Sequence, residues 1–194
     1  MAVEGQSSDW ESKRLEGEYW EQKCAELLCS FGYVVVRNQE RRSGAATAMF
    51  KAGGQLRRVP TPDLMVSGPS GASHWEVKHK KPTNHRQSFG IEKRQFDALL
   101  EFRARSHQPV YIAIHDHQNA GGKHVRENRL RDWVYAEVGQ LDPRRAWKSL
   151  TTQRNGEPIV IYYWPRSTFR PLVNFMFLSG APADPEPEQA AVCF

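Results

Sequence analysis

Apolar residues at Trp20, Cys24, Leu27, Leu28 and Phe31 recur at the three- and four-residue spacing of a helix that buries one stripe, which predicts a helix from Ser12 to Phe31. Gly32 is placed to end it. Tyr33 to Val36 is a short β-branched run suited to a buried strand, whereas Asn38 to Pro60 is polar, basic and glycine-bearing and reads as a long loop or flap. Asp63 to Ser67 and Ser73 to Lys80 have the character of two strands, and Gly68-Pro69-Ser70-Gly71 between them supplies residues that favour reversal. An antiparallel pair follows.

Helical spacing returns from Ile91 to Arg105, with Phe96, Leu99, Leu100 and Phe102 on the apolar face, and Val110 to Ile114 is another short buried strand. Leu130 to Leu150 reads as helical pieces interrupted at Asp142-Pro143. Ile159 to Trp164 and Leu172 to Leu178 have the look of two further strands joined as a hairpin. No internal repeat is present.

At 194 residues, the chain suits one domain able to bury a core around a sheet. The expected organisation is a flexible N-terminus over 1–12, one domain over 13–180 and a Pro-, Ala- and Glu-containing disordered tail over 181–194. The three cysteines, Cys24, Cys29 and Cys193, are odd in number, and the first two lie on the first helix with the expectation that they pack. That favours a reducing compartment. No apolar run approaches the ~20 residues of a membrane span and the first residues lack a signal-peptide layout, so no membrane is expected. The expectation is a soluble, unexported protein, cytoplasmic in a prokaryotic cell or phage-infected host.

The net charge is +5, and without Asp184, Glu186 and Glu188 of the tail, which has no Lys or Arg, residues 1–180 hold +8. A polyanionic partner suits that excess. Arg41, Arg42, Lys51, Arg57, Arg58, Lys80, Lys81, Arg86, Lys93 and Arg94 cluster along the same stretch of sequence, a phosphate-contacting footprint whose weight lies in the cluster rather than in any member.

Within that stretch stands Thr61-Pro62-Asp63, followed by Glu76-Val77-Lys78. Alternation along a strand puts Glu76 and Lys78 on one face and Val77 on the other, while Asp63 can sit beside Glu76 at the start of the preceding strand. Two carboxylates, the main-chain carbonyl of Val77 and waters suit the oxygen shell of Mg²⁺, with Mn²⁺ as a substitute, and Lys78 would hold or deprotonate the attacking water. The bare string arises by chance in roughly one in ten to twenty chains of this length. Its context on two adjacent strands between two helices gives it weight, and the competing reading is a surface ion pair on an edge hairpin.

Two helical residues extend the set. Glu21 lies one helical line from the apolar stripe and is either a third carboxylate at the metal or an ordinary solvated glutamate, with Glu18 its rival if the helix is rotated. Gln95 shares its helical line with Leu99 and Phe102, where its amide needs partners and is placed to orient Lys78 or the water.

Glu21, Pro62-Asp63, Glu76-Val77-Lys78 and Gln95 together resemble the PD-(D/E)xK nuclease superfamily, over about Gly17 to Ile114. The resemblance implies an α/β restriction-endonuclease-like fold: an αβββαβ core with a mixed central sheet flanked by helices, here followed by C-terminal strands. It also implies metal-dependent hydrolysis of DNA to a 5′-phosphate and a 3′-hydroxyl. Within the superfamily, Gly17-x-x-Trp20-Glu21, Gly32-Tyr33 and Arg41-Arg42-Ser43-Gly44 are similar to archaeal-type Holliday-junction resolvases, in which a serine-glycine loop approaches the scissile strand. Ser43 is thereby a candidate catalytic residue, although Ala45 to Pro60 is inserted before Asp63.

The expected activity is thus Mg²⁺-dependent cleavage of branched DNA by a homodimer, since resolution needs paired incisions. Tyr162, Tyr163, Trp164, Phe169, Phe175 and Phe177 are candidates for the dimer interface or simply for finishing the sheet. The alternatives are a repair, exonuclease or restriction-type enzyme of the same fold, or a binding module that does not cut. His115-Asp116-His117 with His124 offers a weaker transition-metal reading that lacks a compelling fourth ligand. His74, His79 and His85 fit DNA contacts or surface positions better.

Overall fold

The structure, a computed structural model, describes residues 5–38, 47–52, 54–83, 86–116, 129–152 and 156–178. Helix α1 (Gly5–Ser30) starts upstream of the expected Ser12. It ends as expected: Gly32 takes φ +81°, and the amides of Gly32 and Tyr33 reach back to the carbonyls of Cys29 and Leu28 at 2.9 and 3.3 Å. The chain then runs through β1 (Val34–Arg37), β2 (Thr47–Ala52), β3 (Gln55–Pro60), β4 (Leu64–Gly68), β5 (Gly71–Lys80) and β6 (Ser88–Glu92). Helix α2 (Lys93–Ser106) leads to β7 (Val110–Asp116), β8 (Trp133–Glu137), β9 (Trp147–Thr152), β10 (Pro158–Pro165), β11 (Arg170–Pro171) and α3 (Leu172–Leu178).

Six strands form the central sheet in the order β1-β4-β5-β7-β8-β11. Only β5 and β7 pair in parallel, because α2 carries the chain back across the sheet between them; the other pairs are antiparallel. The fold is therefore α/β with a mixed central sheet flanked by helices, and α1, β1, β4, β5, α2 and β7 follow one another in the expected αβββαβ order. The β4–β5 reversal is tight. A side chain at Gly68 would collide with the Tyr33 ring, its Cβ lying 2.4 Å from the ring edge.

Alternation divides the interior in two. Trp75 and Val77 of β5 pack with Trp20, Cys24 and Leu28 of α1 on one face, joined by Leu172 and Met176 of α3. Ile112 and Ile114 of β7 pack with Phe96, Leu99 and Phe102 of α2 on the other, together with Tyr162 and Trp164 of β10. Each large side chain sealed in this way is worth about 1.5–3 kcal/mol over its exposed state, so both faces of the sheet are held firmly.

Several expectations are corrected. The polar stretch to Pro60 contains a two-stranded hairpin, β2–β3, rather than only a loop. Leu130 to Leu150 is not helical apart from short 3₁₀ turns at Leu130–Asp132 and Val138–Gln140, since it supplies β8 and β9. Leu172 to Leu178 is a helix, and its hairpin with the preceding strand does not exist. That strand, β10, lies instead between β6 and β9 in a separate three-stranded sheet.

Tyr162, Trp164 and Phe169 are buried in the α2-side core and so finish the fold rather than offer an interface, while the partly buried Phe175 packs against the α1-side core and the partly buried Tyr163 stacks on Trp147. The side chain of Phe177 lies outside the description. Cys24 and Cys29 both pack in the α1-side core as expected, Cys24 as a free thiol, and Cys193 lies outside the described residues. Among the described residues, no helix is long and apolar enough to cross a membrane. The tail, 181–194, lies outside the described residues.

Candidate active site

The β4–β5 ladder runs from Gly68↔Gly71 to Leu64↔Trp75, and the same register places Asp63 opposite Glu76. Beyond that point the two strands no longer pair through their backbones. The amide of Val77 donates instead to Oδ2 of Asp63 at 2.7 Å. Asn38, just past β1, holds the other side of the same turn: its amide donates to the Asp63 carbonyl and its side chain to the Pro62 carbonyl, both at 2.8 Å. The Pro62-Asp63 step is thus fixed from two strands. Sequence reasoning missed Asn38, because an asparagine after a strand reads as ordinary loop punctuation.

Glu76 is 6% exposed, and its Oε1 accepts two bonds, from Nζ of Lys78 and from Nε2 of Gln95, each at 2.5 Å. Lys78 is two residues along the same strand face and Gln95 lies in the first turn of α2, so one carboxylate ties the strand to the helix. Among the described residues, Oδ1 of Asp63 and Oε2 of Glu76 accept no hydrogen bond from the protein, and neither is sealed from solvent. Two carboxylates set opposite each other, each with one oxygen to spare, suit a hard divalent cation.

The electrostatics point the same way. Burial, then the neighbouring charge of Glu76, pushes the Asp63 carboxyl up to about 8, with Lys78 pulling against the rise. A half-buried acid that resists ionising beside another acid is what a divalent cation would relieve. Burial alone would lower the Lys78 ammonium, but Glu76 and Asp63 outweigh it and hold it above the usual lysine range. A lysine that stays protonated can hold a water and stabilise anionic charge; it is poorly suited to taking a proton.

Glu21 faces this site from α1. Its carboxyl is raised by burial, with Arg37 opposing, and it feels the charges of Lys78 and Glu76. Its Oε2 accepts from Nη2 of Arg37 at 3.4 Å, while another nitrogen of Arg37 donates to Gln22 at 2.7 Å. The rival Glu18 pairs with Arg14 on the solvent side. Arg37 was missed as well, because a basic residue closing the apolar run Tyr33 to Val36 reads as an ordinary strand end. Among the described residues, no three His, Cys, Asp or Glu side chains are grouped to hold a metal ion. A cation at this place rests on Asp63 and Glu76, the Val77 carbonyl and water, with Glu21 held to Arg37 at the margin.

The basic residues divide by location. Lys80 shares the strand face of Glu76 and Lys78, is half-buried, and is lowered by burial and by Lys78. Lys81, Arg86 and Arg94 are exposed near the same edge, as is Lys93, which pairs with Asp97. Lys51, Arg57 and Arg58 stand exposed on the β2–β3 hairpin, which packs against α2. Phe50 of that hairpin anchors it by an edge contact with Phe102 at 5.6 Å. Arg41, Arg42 and Ser43 lie outside the described residues, as do His85, His117 and His124.

On the opposite face of β5 and β7, His79 and His115 meet at Nδ1 to Nδ1, 3.0 Å apart, and both rings stack on Trp20, at 4.5 and 3.8 Å. His79 stays partly exposed, 3.7 Å from the exposed Glu16. His115 is fully buried, and His74 is buried against Phe102 and bonded to Gln108 at 2.7 Å. Asp116, also fully buried, is tied to Arg166 at 2.5 Å.

No family model matches the sequence, and a search of curated proteins finds no match. Among solved structures the chain is similar to Hjc of Archaeoglobus fulgidus, a Holliday junction resolvase from an archaeal hyperthermophile, at 13% identity and a TM-score of 0.49. The match covers 84% of this chain and 96% of that one.

Proposed function

We propose that this protein is a Mg²⁺-dependent DNA endonuclease that hydrolyses phosphodiester bonds, with Asp63, Glu76 and Lys78 as its reacting centre. The observation that carries the reading is the convergence at the splayed end of β4 and β5: Asp63 opposite Glu76, with Lys78 and Gln95 both bound to Oε1 of Glu76. Asp63 and Glu76 would hold the cation through their spare oxygens and the Val77 carbonyl. A bound ion would supply charge neutralisation at the phosphoryl oxygens and would acidify the attacking water.

The chain's own groups do the rest. Glu76 aims the Lys78 ammonium, which positions the water and offsets charge building on the phosphate. Gln95 keeps Glu76 from swinging away and leaves its second oxygen available. Asn38 and the Val77 amide fix Asp63 so that the two carboxylates face each other before substrate arrives.

Branched DNA is the substrate this reading favours, supported by the likeness of Arg41-Arg42-Ser43-Gly44 to the resolvase loop, and with it a homodimer making paired incisions. The deciding experiment incubates the protein with immobile four-way junctions, flaps, linear duplex and single strands in Mg²⁺. Symmetric nicks confined to the junction are expected. Preference for ends would assign an exonuclease, and absence of Mg²⁺- or Mn²⁺-dependent cutting on every substrate would sink the enzyme reading.

A further inference from the structure

The strand that carries Glu76 and Lys78 is linked through β7 to a separate pocket. Lys80 pairs in register with Asp116 of β7, and Asp116 holds the guanidinium of Arg166 at 2.5 Å. Arg166 and Arg86 line a pocket of about 440 Å³ together with Arg131, and Pro165, Phe169 and Pro171 form much of its apolar side. Two loops meet there. Gln87, a non-glycine residue at φ +45°, accepts the Arg166 amide at 2.7 Å and donates its own amide to Thr83. A left-handed residue held from both sides is backbone strain placed where the pocket wall is made.

The lining chemistry is specific. Arg86 makes no ion pair among the described residues; its guanidinium lies 4.7 Å from the ring centroid of Trp147, which is itself stacked on Tyr163 at 4.1 Å. An arginine fixed by its face keeps its N–H edge for an anion. Arg131 is 71% exposed at the mouth. The volume falls in the range of small-molecule sites, more than a phosphate group alone requires, and proline and phenylalanine walls suit a flat ring.

We infer that this pocket binds one unpaired nucleotide of a DNA strand passing the cleavage site, its phosphate on Arg86, Arg131 and Arg166 and its base against Pro165, Phe169 and Pro171. The assignment rests on the nuclease reading, of which it names the substrate feature: a strand that departs from the duplex close to the scissile bond. Asp116 lies beneath Arg166 and fixes it, and Arg131 stands 4.0 Å from the buried carboxylate of Asp132, so Arg86 is the side chain whose removal uncovers no buried charge.

The test measures binding of the full chain in EDTA to a blunt duplex and to the same duplex with a five-nucleotide single-stranded extension. An Arg86→Ala/Arg131→Ala double variant that keeps the melting temperature of the unmutated protein should lose about tenfold in affinity for the tailed probe and stay within about twofold on the blunt one. Equal loss on both probes, or no loss on either, overturns the pocket. Should the double variant fail to keep its melting temperature, Arg86→Ala alone is measured against the same two outcomes. A free nucleoside monophosphate that binds the unmutated protein but not the double variant, and leaves the tailed-probe affinity unchanged, would assign the pocket to a soluble nucleotide and overturn the strand assignment. Because no cation is present, a protein that binds the tailed probe in this manner but never cuts refutes the nuclease reading alone; one that cuts while the double variant binds normally refutes the pocket alone.

Discussion

The two faces of β5 and β7 carry comparable raw material and use it differently. On the α2 face, Glu76 and Lys78 are charged, bonded to each other and to Gln95, and stand beside Asp63 at the point where two strands separate. On the α1 face, one residue out of phase, His79 and His115 are pressed together and capped by the Trp20 ring. Either pair looks like chemistry in a sequence. What separates them is packing: the carboxylates keep oxygens that solvent and substrate can reach, whereas both imidazoles are stacked on the Trp20 ring, with His115 fully buried and His79 at the rim beside Glu16. One strand thus presents reactivity to one side and packing to the other, and alternation alone decides which residue does which.

Substitutions on the two faces should separate rate from stability. The largest effect is expected at Asp63→Ala and Lys78→Ala, each lowering the single-turnover cleavage rate by about 10²- to 10³-fold or more while junction affinity in EDTA stays near that of the unmutated protein. Rates within tenfold of normal would show that the α2 face is not the reacting one. Next, Trp20→Ala removes a buried ring from the α1 face and should cost about 3–5 kcal/mol in denaturant unfolding. The rate per folded molecule should change little, and its loss would place the histidine pair in the chemistry.

A smaller effect follows at Gln95→Ala, where freeing Glu76 is expected to slow cleavage about 10- to 100-fold with little change in melting temperature. Gln95→Glu, which places a carboxylate against Glu76, should not restore it. The smallest effect concerns pH. Asp63 ionises near 3.8 in an unstructured chain but only at about 8 in the fold, so the unfolded form gives up its proton first. Stability from this group is complete below about pH 4 and is lost as the pH climbs toward 8. Asp63→Asn should therefore shrink the fall in melting temperature between pH 5 and pH 8 by roughly 2–4 °C or more, and Mg²⁺ should produce a similar flattening in the unmutated protein. An unchanged slope would remove the electrostatic argument for a cation at this place.

Where one face of an element is buried, the sequence is legible. The stripe from Trp20 to Phe31, the alternation through Glu76 and Lys78, and the Phe96, Leu99, Phe102 spacing led directly to α1, β5 and α2. Elsewhere, pattern and structure part company for physical reasons. In β8, Trp133, Val134, Tyr135 and Ala136 are all buried, because the strand has a core on each side, and a run without alternation is equally compatible with a buried helix. In β3 only Val59 is buried, so the hairpin shows no period and looks like a loop.

The opposite error occurred at Leu172 to Leu178, rich in aromatic and aliphatic residues that favour strands. There Leu172 and Met176 are four apart and enter the same core, a helical relation that tertiary packing selected. Of the site, Asp63, Glu76, Lys78 and Gln95 were legible because strand register and helical phase bring them together. Asn38 and Arg37 were not, since their importance comes from contacts with carbonyls and side chains 15 to 25 positions away in the chain.

The bond from the Val77 amide to Asp63 has one more implication. Because a carboxylate that would hold the cation also serves as the last rung between β4 and β5, occupancy of the site and closure of the sheet share an atom group. Loading the site draws electron density away from the oxygen that the amide proton leans on. That single proton becomes a gauge of the reacting centre that can be read by its chemical shift and its exchange with solvent, with no substrate in the tube.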